Sequence, residues 1–431
     1  MEKYDIAVVG GGAAGCMAAI QASSPRQRVV LLERNPELGR KILLTGNGRC
    51  NLTNNSSLSV FIEKFGRRGS FFRSAFSAFS STDLMEFFQE AGLELKEEAE
   101  GRIFPITDRS QSVIDVLRAQ LKKHKVQIIP NYRVKKLKKL DGYFQLSRDT
   151  GKNRSDSNKK HTNDGNDLIR ASKVILSTGG ASYPKTGSTG DGYGWAQEFG
   201  HTISALKPGL VPLKVKESWA RSLQGVVLKN VGLTFRHGKT GKLKGQGDLL
   251  FTHFGFSGPT LLDLSQSVVR ILDEEGEVKL FLDLTPHKTR EQLEESLLTD
   301  FKRYSKRIIQ NYLRFYLPSA FINSFLEFTD IDPHKQLNQI HRQERLKLLD
   351  NMKNLNLTVN GHLPLTKAMV TCGGVSKREI DPQTMESRLV PGLYLAGEII
   401  AGCGSSGGYN LQQAFSTGFL AGKSANQSIK N

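Results

Sequence analysis

The stretch IAVVGGGAAGCMAAIQA, residues 6–22, decides the fold of this chain. Its first four residues are small or β-branched and apolar, which is typical of a buried parallel strand. The glycine run that follows matches G-x-G-x-x-G at Gly10, Gly12 and Gly15. In a dinucleotide-binding turn, Gly10 makes the tight turn, Gly12 lets the backbone approach a pyrophosphate, and Gly15 lets helix and strand pack closely.

The residues after the glycine run complete a βαβ unit. Residues 14–22 favour a helix, and residues 28–32, RVVLL, predict a second strand that leads into Glu33. The start of the helix, at Ala13 and Ala14, presents backbone N–H groups and the positive end of the helix dipole to a phosphate. Glu33 is placed to accept hydrogen bonds from an adenosine ribose, and an acidic residue here disfavours a 2′-phosphate. We therefore expect FAD or NAD, rather than NADP, as the tightly held nucleotide.

Length and charge set limits on the function. A chain of 431 residues is too long for one compact domain, and no apolar run approaches the ~20 residues of a membrane helix. The 60 basic residues outnumber the 42 acidic ones, which gives a net charge of +18. Such an excess favours an anionic partner, whether nucleic acid, anionic lipid or a phosphorylated ligand.

The cysteines and the N-terminus indicate a compartment. The four cysteines, Cys16, Cys50, Cys372 and Cys403, include no C-x-x-C pair. This count argues against a disulfide framework, a zinc ribbon and a dithiol redox centre, and we expect no metal site. The first five residues do not resemble a signal or transit peptide. We therefore predict a cytoplasmic protein in a reducing compartment.

A long segment after the βαβ unit carries a family resemblance. Residues 38–54, LGRKILLTGNGRCNLTN, closely resemble the signature of the BaiN/YhiN-like flavoproteins, a bacterial group of FAD-dependent oxidoreductases. Further segments agree in the same order: TGGASYP at 178–184, TGSTGDGY at 186–193, THFGFSGP at 252–259, TCGGV at 371–375, TMES at 384–387, GLYLAGE at 392–398 and GGYNLQ at 407–412. The resemblance spans nearly the whole chain. It implies FAD as cofactor and an α/β fold with a Rossmann-type, glutathione-reductase-like FAD-binding domain.

The glycine turn and the resemblance together give a set of candidate FAD-binding residues. The set comprises Gly10, Gly12, Ala13, Ala14, Gly15, Glu33, Arg34, Arg40, Lys41, Asn47, Gly48, Arg49, Cys50, Asn51, Val134, Thr178, Gly179, Gly180, Gly397, Glu398, Gly408, Asn410 and Leu411. Glycine and asparagine at 46–51 permit left-handed backbone next to a flat ligand. We expect Arg49 to oppose a phosphate or the negative charge of a reduced flavin; the alternative is a surface arginine on an ordinary glycine turn.

The resemblance also assigns roles near the C-terminus. Enzymes of this type place an acid against the ribityl hydroxyls, here Glu398, and pass a strand near Val134 under the adenine. A helix from Leu411 to about Ala421 would stabilise negative charge at the pyrimidine end of the flavin. The loop after Glu398 departs from the family pattern, because residues 401–406 read AGCGSS where aspartates are usual. For this reason the substrate preference of a relative does not transfer directly.

Hydrophobic periodicity predicts the organisation of the rest. We expect an FAD-binding domain over 1–195 and 357–431, interrupted by an inserted domain over 196–356 that roofs the flavin. The insertion is predicted to be β-rich over 202–285 and helical over 286–356, with one helical face running from Leu293 to Tyr312. Within the first part we predict the following elements: helices over 58–100 and 110–123, strands over 126–129, 133–140 and 143–147, and a polar, mobile hairpin tip over 149–167.

The sequence offers one candidate for proton transfer. His253 lies in a glycine-flanked motif of the expected roof, and imidazole suits proton transfer near neutral pH. The alternative is a structural histidine bonded to backbone, while Tyr183 and Cys50 are weaker candidates. There is no second G-x-G-x-x-G between a strand and a helix. NADH or NADPH would therefore bind transiently in the substrate cleft, or the substrate itself would supply the electrons.

Two classes of function remain open. The first is an oxidoreductase acting on a small or medium organic molecule, and the resemblance implies either NAD(P)H-dependent reduction of a conjugated double bond or amine oxidation, as in aminoacetone oxidase. The second is an FAD-containing protein that binds or modifies RNA. Residues 133–173 and 214–247 each carry a net charge of +7, but they lack the interleaved aromatics of base-stacking surfaces. Solvated hairpins are therefore the favoured interpretation, and the oligomeric state stays open.

Overall fold

A computed structural model of the chain describes residues 2–149 and 168–427. They form two compact units: the first unit takes in Met1–Lys207 and Met369–Asn431, and the second unit is Pro208–Ala368. The expected hairpin tip over 149–167 lies, except for its first residue, outside the described residues. Within the described helices, none is both long and apolar enough to cross a bilayer.

The first unit contains most of the expected elements. Up to the start of the second unit, its helices and strands are β1 Glu2–Val9, α1 Ala13–Ala22, β2 Val29–Leu32, β3 Thr53–Asn54, α2 Leu58–Lys64, α3 Arg73–Ala78, α4 Ser81–Glu90, β4 Leu95–Glu98, β5 Arg102–Pro105, α5 Ser110–Lys123, β6 Gln127–Ile129, β7 Val134–Leu140, β8 Tyr143–Arg148, β9 Leu168–Leu176, α6 Asp191–Glu198 and β10 Ile203–Gly209. The predicted helix over 110–123 and the strands on either side of residue 141 are confirmed. The expected helical stretch over 58–100 ends at α4, because β4 pairs with β5 in a small antiparallel sheet.

The second unit and the return to the first unit supply the remaining elements. These are β11 Leu213–Val215, α7 Ser218–Ser222, β12 Val227–His237, β13 Gly241–Thr252, β14 Gly255–Ser257, α8 Pro259–Glu275, β15 Val278–Asp283, α9 Arg290–Arg303, α10 Ile309–Leu313, α11 Ser319–Thr329, α12 Arg342–Asn354, β16 Leu355–His362, β17 Val370–Val375, β18 Leu393–Leu395 and α13 Tyr409–Gln427.

A mostly parallel sheet organises the first unit. Its order is β6-β2-β1-β9-β8-β7, and β18 also pairs with β9. Strand β9 is long enough to pair with two strands on one side: antiparallel with β8 near its start, and parallel with β18 over residues 174–176. The chain is therefore an α/β protein of Rossmann type with an antiparallel hairpin at one edge, as the βαβ pattern predicts.

Helices α1 and α13 cross in close contact because small residues line their interface. A Cβ on Gly418 would lie 2.2 Å from the carbonyl oxygen of Ala14, and one on Gly422 would lie 2.3 Å from that of Ala18. Neither distance leaves room for a side chain against rigid backbone. The two glycines therefore set the separation of the first and last helices of the chain.

We expect Gly422→Val to lower the free energy of unfolding by about 3 kcal/mol, because the added carbons overlap a backbone carbonyl and the helices must move apart. The matched control is Lys423→Val, which places the same β-branched residue on the exposed side of α13 and is expected to cost less than about 1 kcal/mol. Urea unfolding of both variants measures the difference. Equal stability of the two variants would show that the contact between α1 and α13 is not tight.

The second unit combines a closed barrel with a helical layer. The barrel order is β11-β14-β13-β12-β15-β16, and α8 packs against several of its strands. Helix α8 lies inside the stretch that was expected to be β-rich over 202–285; Gly258 and Pro259 start it, and Leu261, Val268 and Leu272 are buried on one face. Because short alternating runs lie on both sides of α8, the sequence pattern was interpreted as strand throughout and the helical spacing of its apolar residues was missed.

Two further expectations about the second unit differ from the structure. The face expected to run from Leu293 to Tyr312 belongs to two helices, because α9 ends before Tyr304 and α10 begins only at Ile309. Residues from 357 onward were expected in the FAD-binding domain. Strand β16 instead closes the barrel by pairing with β11 and β15, so the second unit extends to Ala368.

Candidate functional site

The carboxyl ends of four parallel strands meet in one row. Val9 of β1 is level with Leu32 of β2 on one side and with Leu176 of β9 on the other. Leu176 is in turn level with Leu395 of β18. We call this row the strand-end edge. Open α/β sheets bind their ligands at this edge, beside the loops that follow the strands.

The glycine turn after β1 has three different steric environments. Gly10 has a φ of +105°, and a Cβ there would lie 2.6 Å from the carbonyl oxygen of Ser177. A Cβ on Gly15 would lie 1.8 Å from the carbonyl oxygen of Gly10, so this position tolerates only glycine. Around Gly12, by contrast, a Cβ meets no described atom within 4 Å, and no side chain caps the start of α1. The turn is therefore crowded at Gly10 and Gly15 and open at Gly12, as a pyrophosphate site requires.

Glu33 is fixed at the end of β2 and keeps part of its hydrogen-bonding capacity. Its carboxylate is 6% exposed, and one oxygen accepts the Gly11 N–H at 2.7 Å. The other oxygen accepts the backbone and side-chain N–H groups of Asn35, both at 2.7 Å. Since a carboxylate offers about four acceptor positions, one position is left for a ribose hydroxyl. Arg40 donates to Asn35 at 3.0 Å and steadies the same segment.

Arg34 ties the segment after β2 to the turn before α6. Its guanidinium donates to the Gly187 carbonyl oxygen and lies 3.3 Å from the carboxylate of Asp191, which Arg133 also contacts at 3.1 Å. Burial raises the pKa of Asp191, but hydrogen bonds from Arg133 and Thr189 outweigh it and the net shift is downward. Arg34 thus positions a neighbouring loop.

Val134, expected under the adenine, begins β7 and is buried. The segment before it lies against the glutamate turn, because Tyr132 donates its N–H to the Glu33 carbonyl oxygen at 2.8 Å. The structure therefore brings the segment just before Val134 into contact with the backbone of Glu33.

A hydrogen-bonded cluster forms around Glu398, just after β18. The Lys41 ammonium lies 2.6 Å from one carboxylate oxygen and also donates to the Ser182 hydroxyl at 2.6 Å. The other carboxylate oxygen accepts the Thr371 N–H at 2.7 Å and the Ser182 hydroxyl at 3.1 Å. A Cβ on Gly180 would lie 2.6 Å from this carboxylate, so glycine is required there. Sequence reasoning had assigned no role to Ser182 or Thr371.

The loop after β9 leaves one polar atom without a partner. The hydroxyl oxygen of Thr178 is buried and has no hydrogen-bond partner among the described residues. A Cβ on Gly179 would meet the Ser188 hydroxyl at 2.7 Å, and one on Gly192 would meet Thr178 itself at 2.2 Å. Since this oxygen has almost no exposed surface in the unliganded structure, the Thr178 hydroxyl packs against Gly192 at the start of α6 and does not face a ligand.

Residues 46–51 form the left-handed turn that their composition predicts. Asn47 has a φ of +56° and Gly48 of +86°. Arg49 is held by carboxylates of the protein, at 2.7 Å from Glu98 and 3.4 Å from Asp108, and its predicted contact with a phosphate or flavin stays a prediction. Cys50 is fully buried, and burial raises its pKa to about 12, which is the behaviour of an inert thiol.

The turn at 46–51 also contacts the start of α13. With its side-chain amide oriented to satisfy both polar atoms, Asn51 donates to the Thr53 carbonyl oxygen at 3.0 Å and accepts the Gly408 N–H at 3.1 Å. Asn410 holds the preceding loop through the N–H and carbonyl of Gly404, both at 2.8 Å, and Leu411 is half-buried. Both ends of the chain therefore build one site.

Two features differ from expectation or lie apart from this site. Cys372 and Cys403 form a disulfide, which the cysteine count had argued against. They are 31 residues apart, and only the return of the chain to the sheet brings them together. His253 belongs to the second unit, where it is exposed in the turn between β13 and β14, with its ring 4.7 Å from that of Phe254. In the described residues its ring makes no hydrogen bond.

The residues at the strand-end edge fit a dinucleotide such as FAD. The open space above Gly12 and the uncapped start of α1 suit the pyrophosphate, while Glu33 retains capacity for a ribose hydroxyl. Glu398 is fixed by Lys41 and Thr371 at the other end of the same edge.

This chain is similar to a known protein family and to characterised reductases. Residues 4–424 match the model of the HI0933-like protein Rossmann domain. The chain is 33% identical over 422 residues to the 3-dehydro-bile acid delta(4,6)-reductase of Clostridium scindens, covering 97% of this chain and 98% of that protein. It is also 29% identical over 429 residues to the ribosomal RNA dihydrouridine synthase of Escherichia coli, covering 97% and 96%.

Solved structures show the same fold at low identity. A flavocytochrome c3 fumarate reductase in its open conformation superposes with a TM-score of 0.54 at 17% identity, covering all of this chain and 79% of that one. A 3-ketosteroid-delta4-(5alpha)-dehydrogenase from Rhodococcus jostii gives 0.52 at 15% identity, covering 99% and 97%. Together with the site geometry, these matches confirm the predicted family resemblance, and the chain belongs to the HI0933-like Rossmann-domain family as an FAD-dependent oxidoreductase.

Proposed function

We propose that this protein reduces a carbon–carbon double bond conjugated to a carbonyl group, in a steroid-like organic molecule, with NADH or NADPH as the transient reductant. The observation that carries the proposal is the 33% identity to the bile-acid delta(4,6)-reductase over 97% of the chain.

The architecture of the second unit supports a transient reductant. Its sheet is an antiparallel barrel, and the described residues there contain no parallel βαβ unit that would hold a second dinucleotide. The nicotinamide would therefore bind only transiently. It would reduce the flavin first, and the enone would then reoxidise it, as expected of a two-step flavin reductase.

The residues of the strand-end edge have definable tasks. FAD supplies the hydride chemistry. The backbone N–H groups at the start of α1 would bind the pyrophosphate, and Glu33 would orient the ribose. Lys41 holds the Glu398 carboxylate in place through an ion pair at 2.6 Å, so that this carboxylate would orient hydroxyl groups of the cofactor. The start of α13 directs backbone N–H groups towards negative charge.

RNA is a second candidate substrate, favoured by the 29% identity to the ribosomal RNA dihydrouridine synthase and by the net charge of +18. The chemistry is closely related, because the uracil C5–C6 double bond is conjugated to the C4 carbonyl. One site geometry would thus serve either substrate. The difference would lie in what the surrounding surface admits.

Anaerobic flavin bleaching distinguishes these possibilities. We expect NADH or NADPH to bleach the flavin band at about 450 nm, and a 3-keto-4-ene steroid to restore it. Restoration by a ribosomal RNA transcript, with gain of two hydrogens at a uridine by mass spectrometry, would assign RNA as the substrate. Anaerobic bleaching by a primary amine, followed by peroxide formation once oxygen is admitted, with no bleaching by nicotinamides, would contradict both and favour the amine oxidase.

A further inference from the structure

The loop between β18 and α13 is unusually free of regular structure. We call residues 401–408 the glycine loop, since it has glycine at 402, 404, 407 and 408. Three of these have left-handed φ values, +127° at Gly402, +107° at Gly407 and +100° at Gly408. Glycine loses more conformational freedom on ordering than any other residue, so this loop has a high entropic cost of being fixed.

Hydrogen bonds from several segments hold the glycine loop. The Ala401 N–H donates to the Val375 carbonyl oxygen at 2.9 Å, the Ser405 N–H to that of Lys64 at 3.1 Å, and the Asn54 side chain to that of Gly407 at 3.1 Å. On one side it lies against aromatic rings: a Cβ on Gly404 would come within 2.8 Å of Phe65, and one on Gly402 within 3.6 Å of Phe72. Asn410 bonds both polar groups of Gly404, as described above. The loop belongs to no strand or helix.

The disulfide provides a covalent attachment on the other side. Cys403, in the middle of the glycine loop, is joined to Cys372 of β17, and both are buried, at 8% and 6% exposure. Cys372 directly follows Thr371, whose N–H binds the Glu398 carboxylate and whose hydroxyl accepts the N–H groups of residues 181 and 182. The link thus joins the loop before α13 to the strand that organises the Glu398 cluster.

We propose that the Cys372–Cys403 disulfide positions the glycine loop for cofactor binding, so that FAD is held more tightly by the disulfide form of the protein than by its dithiol form. This proposal rests on FAD as the cofactor of the proposed function. Opening the link frees Cys403 from β17 and leaves the loop to its hydrogen bonds and its contacts with the aromatic rings. FAD binding then has to order a segment that the disulfide otherwise keeps in place.

Linkage makes the effect reciprocal. If the disulfide raises the affinity for FAD by a given factor, bound FAD makes the disulfide harder to reduce by the same factor. A tenfold effect corresponds to a difference of about 30 mV between the reduction potentials of the disulfide in the FAD-bound and FAD-free protein. The proposal therefore has a readout that does not depend on turnover.

The test compares FAD release from the holoprotein before and after reduction by a water-soluble phosphine. Each disulfide takes up two electrons from one phosphine, the two sulfurs gain protons, and the phosphorus becomes a phosphine oxide with oxygen from water. Ellman's reagent under denaturing conditions should count two thiols before and four after, since Cys16 and Cys50 are free. After desalting, we expect FAD to dissociate about tenfold faster, measured by recovery of flavin fluorescence.

The matched control is the double variant Cys372→Ser/Cys403→Ser. It should release FAD as fast as the reduced wild type and should not respond to the phosphine. Redox titration in dithiothreitol buffers, with and without FAD, decides the question for wild type even where the variant fails to fold. Equal FAD release at two and at four thiols, with no shift in the potential, would overturn the proposal. A disulfide protein that binds no FAD would instead contradict the proposed function.

Discussion

Gly12→Val is expected to give a folded protein that is nearly colourless. A Cβ on Gly12 meets no described atom within 4 Å, and the φ of –83° there suits any residue, so the substitution strains nothing in the unliganded fold. Valine is a poorer residue than glycine at the start of a helix, which costs about 1 kcal/mol or less. Its two methyl groups fill the space through which a pyrophosphate reaches the α1 N–H groups. We therefore expect a loss of at least about 100-fold in FAD affinity, or roughly 2.7 kcal/mol.

The control for this prediction is Gly194→Val, since Gly194 of α6 is also open to a Cβ within 4 Å. Both variants should unfold close to the wild-type temperature as apoproteins, while only Gly12→Val loses FAD in a fluorescence-quenching titration. Unchanged FAD affinity in Gly12→Val would place the cofactor elsewhere. Parallel unfolding of both variants would show that the effect is on the fold.

The local parts of this site could be predicted because their cause is local. Gly15 is dictated by the carbonyl oxygen of Gly10, five residues earlier, and Gly10 has a left-handed φ of +105° within the same turn. Glu33 follows its strand directly and bonds to residues 11 and 35. The helix over 110–123 has a continuous apolar face and ends where its pattern ends. In each case a short window of sequence contains the physical reason for the structure.

The remaining parts depend on contacts between distant segments. Lys41 and Glu398 are 357 residues apart, and Thr371 reaches the loop after β9 across 190 residues. No spacing rule connects such positions. The glycines at 180 and 408 are required by the Glu398 cluster and by the carbonyl of Thr53, partners that only the assembled sheet defines. The disulfide was missed for the same reason, because its cysteines meet only when β17 and the glycine loop are both in place.

The cofactor site alone does not determine which substrate the protein uses. The Clostridium and Escherichia relatives carry names for a steroid-type and an RNA reaction, yet the chain matches each of them over 97% of its length. Both reactions add hydride and a proton to a double bond next to a carbonyl. A proton donor is thus required for either substrate, while Lys41 and Glu398 are bonded to each other in an ion pair at 2.6 Å.

His253→Ala is expected to slow the oxidative half-reaction by about 100-fold while leaving reduction by NAD(P)H unchanged. His253 is exposed in the second unit and makes no hydrogen bond among the described residues, so its ring is not committed to holding the fold. The matched control is His334→Ala, another exposed histidine of the same unit. Stopped-flow absorbance separates the two half-reactions, and substrate affinity should stay within about twofold because proton donation acts on the transition state.

Chemical rescue makes this prediction specific to proton transfer. Added imidazole should restore much of the rate of His253→Ala, because a small acid in the vacated space supplies the missing proton, and it should not affect the His334→Ala control. A structural histidine would give the opposite pattern, with lower thermal stability and no response to imidazole. If His253→Ala reoxidises at the wild-type rate, His253 is not the proton donor. Tyr183, which follows the Glu398-bonded Ser182 directly, then becomes the next residue to substitute.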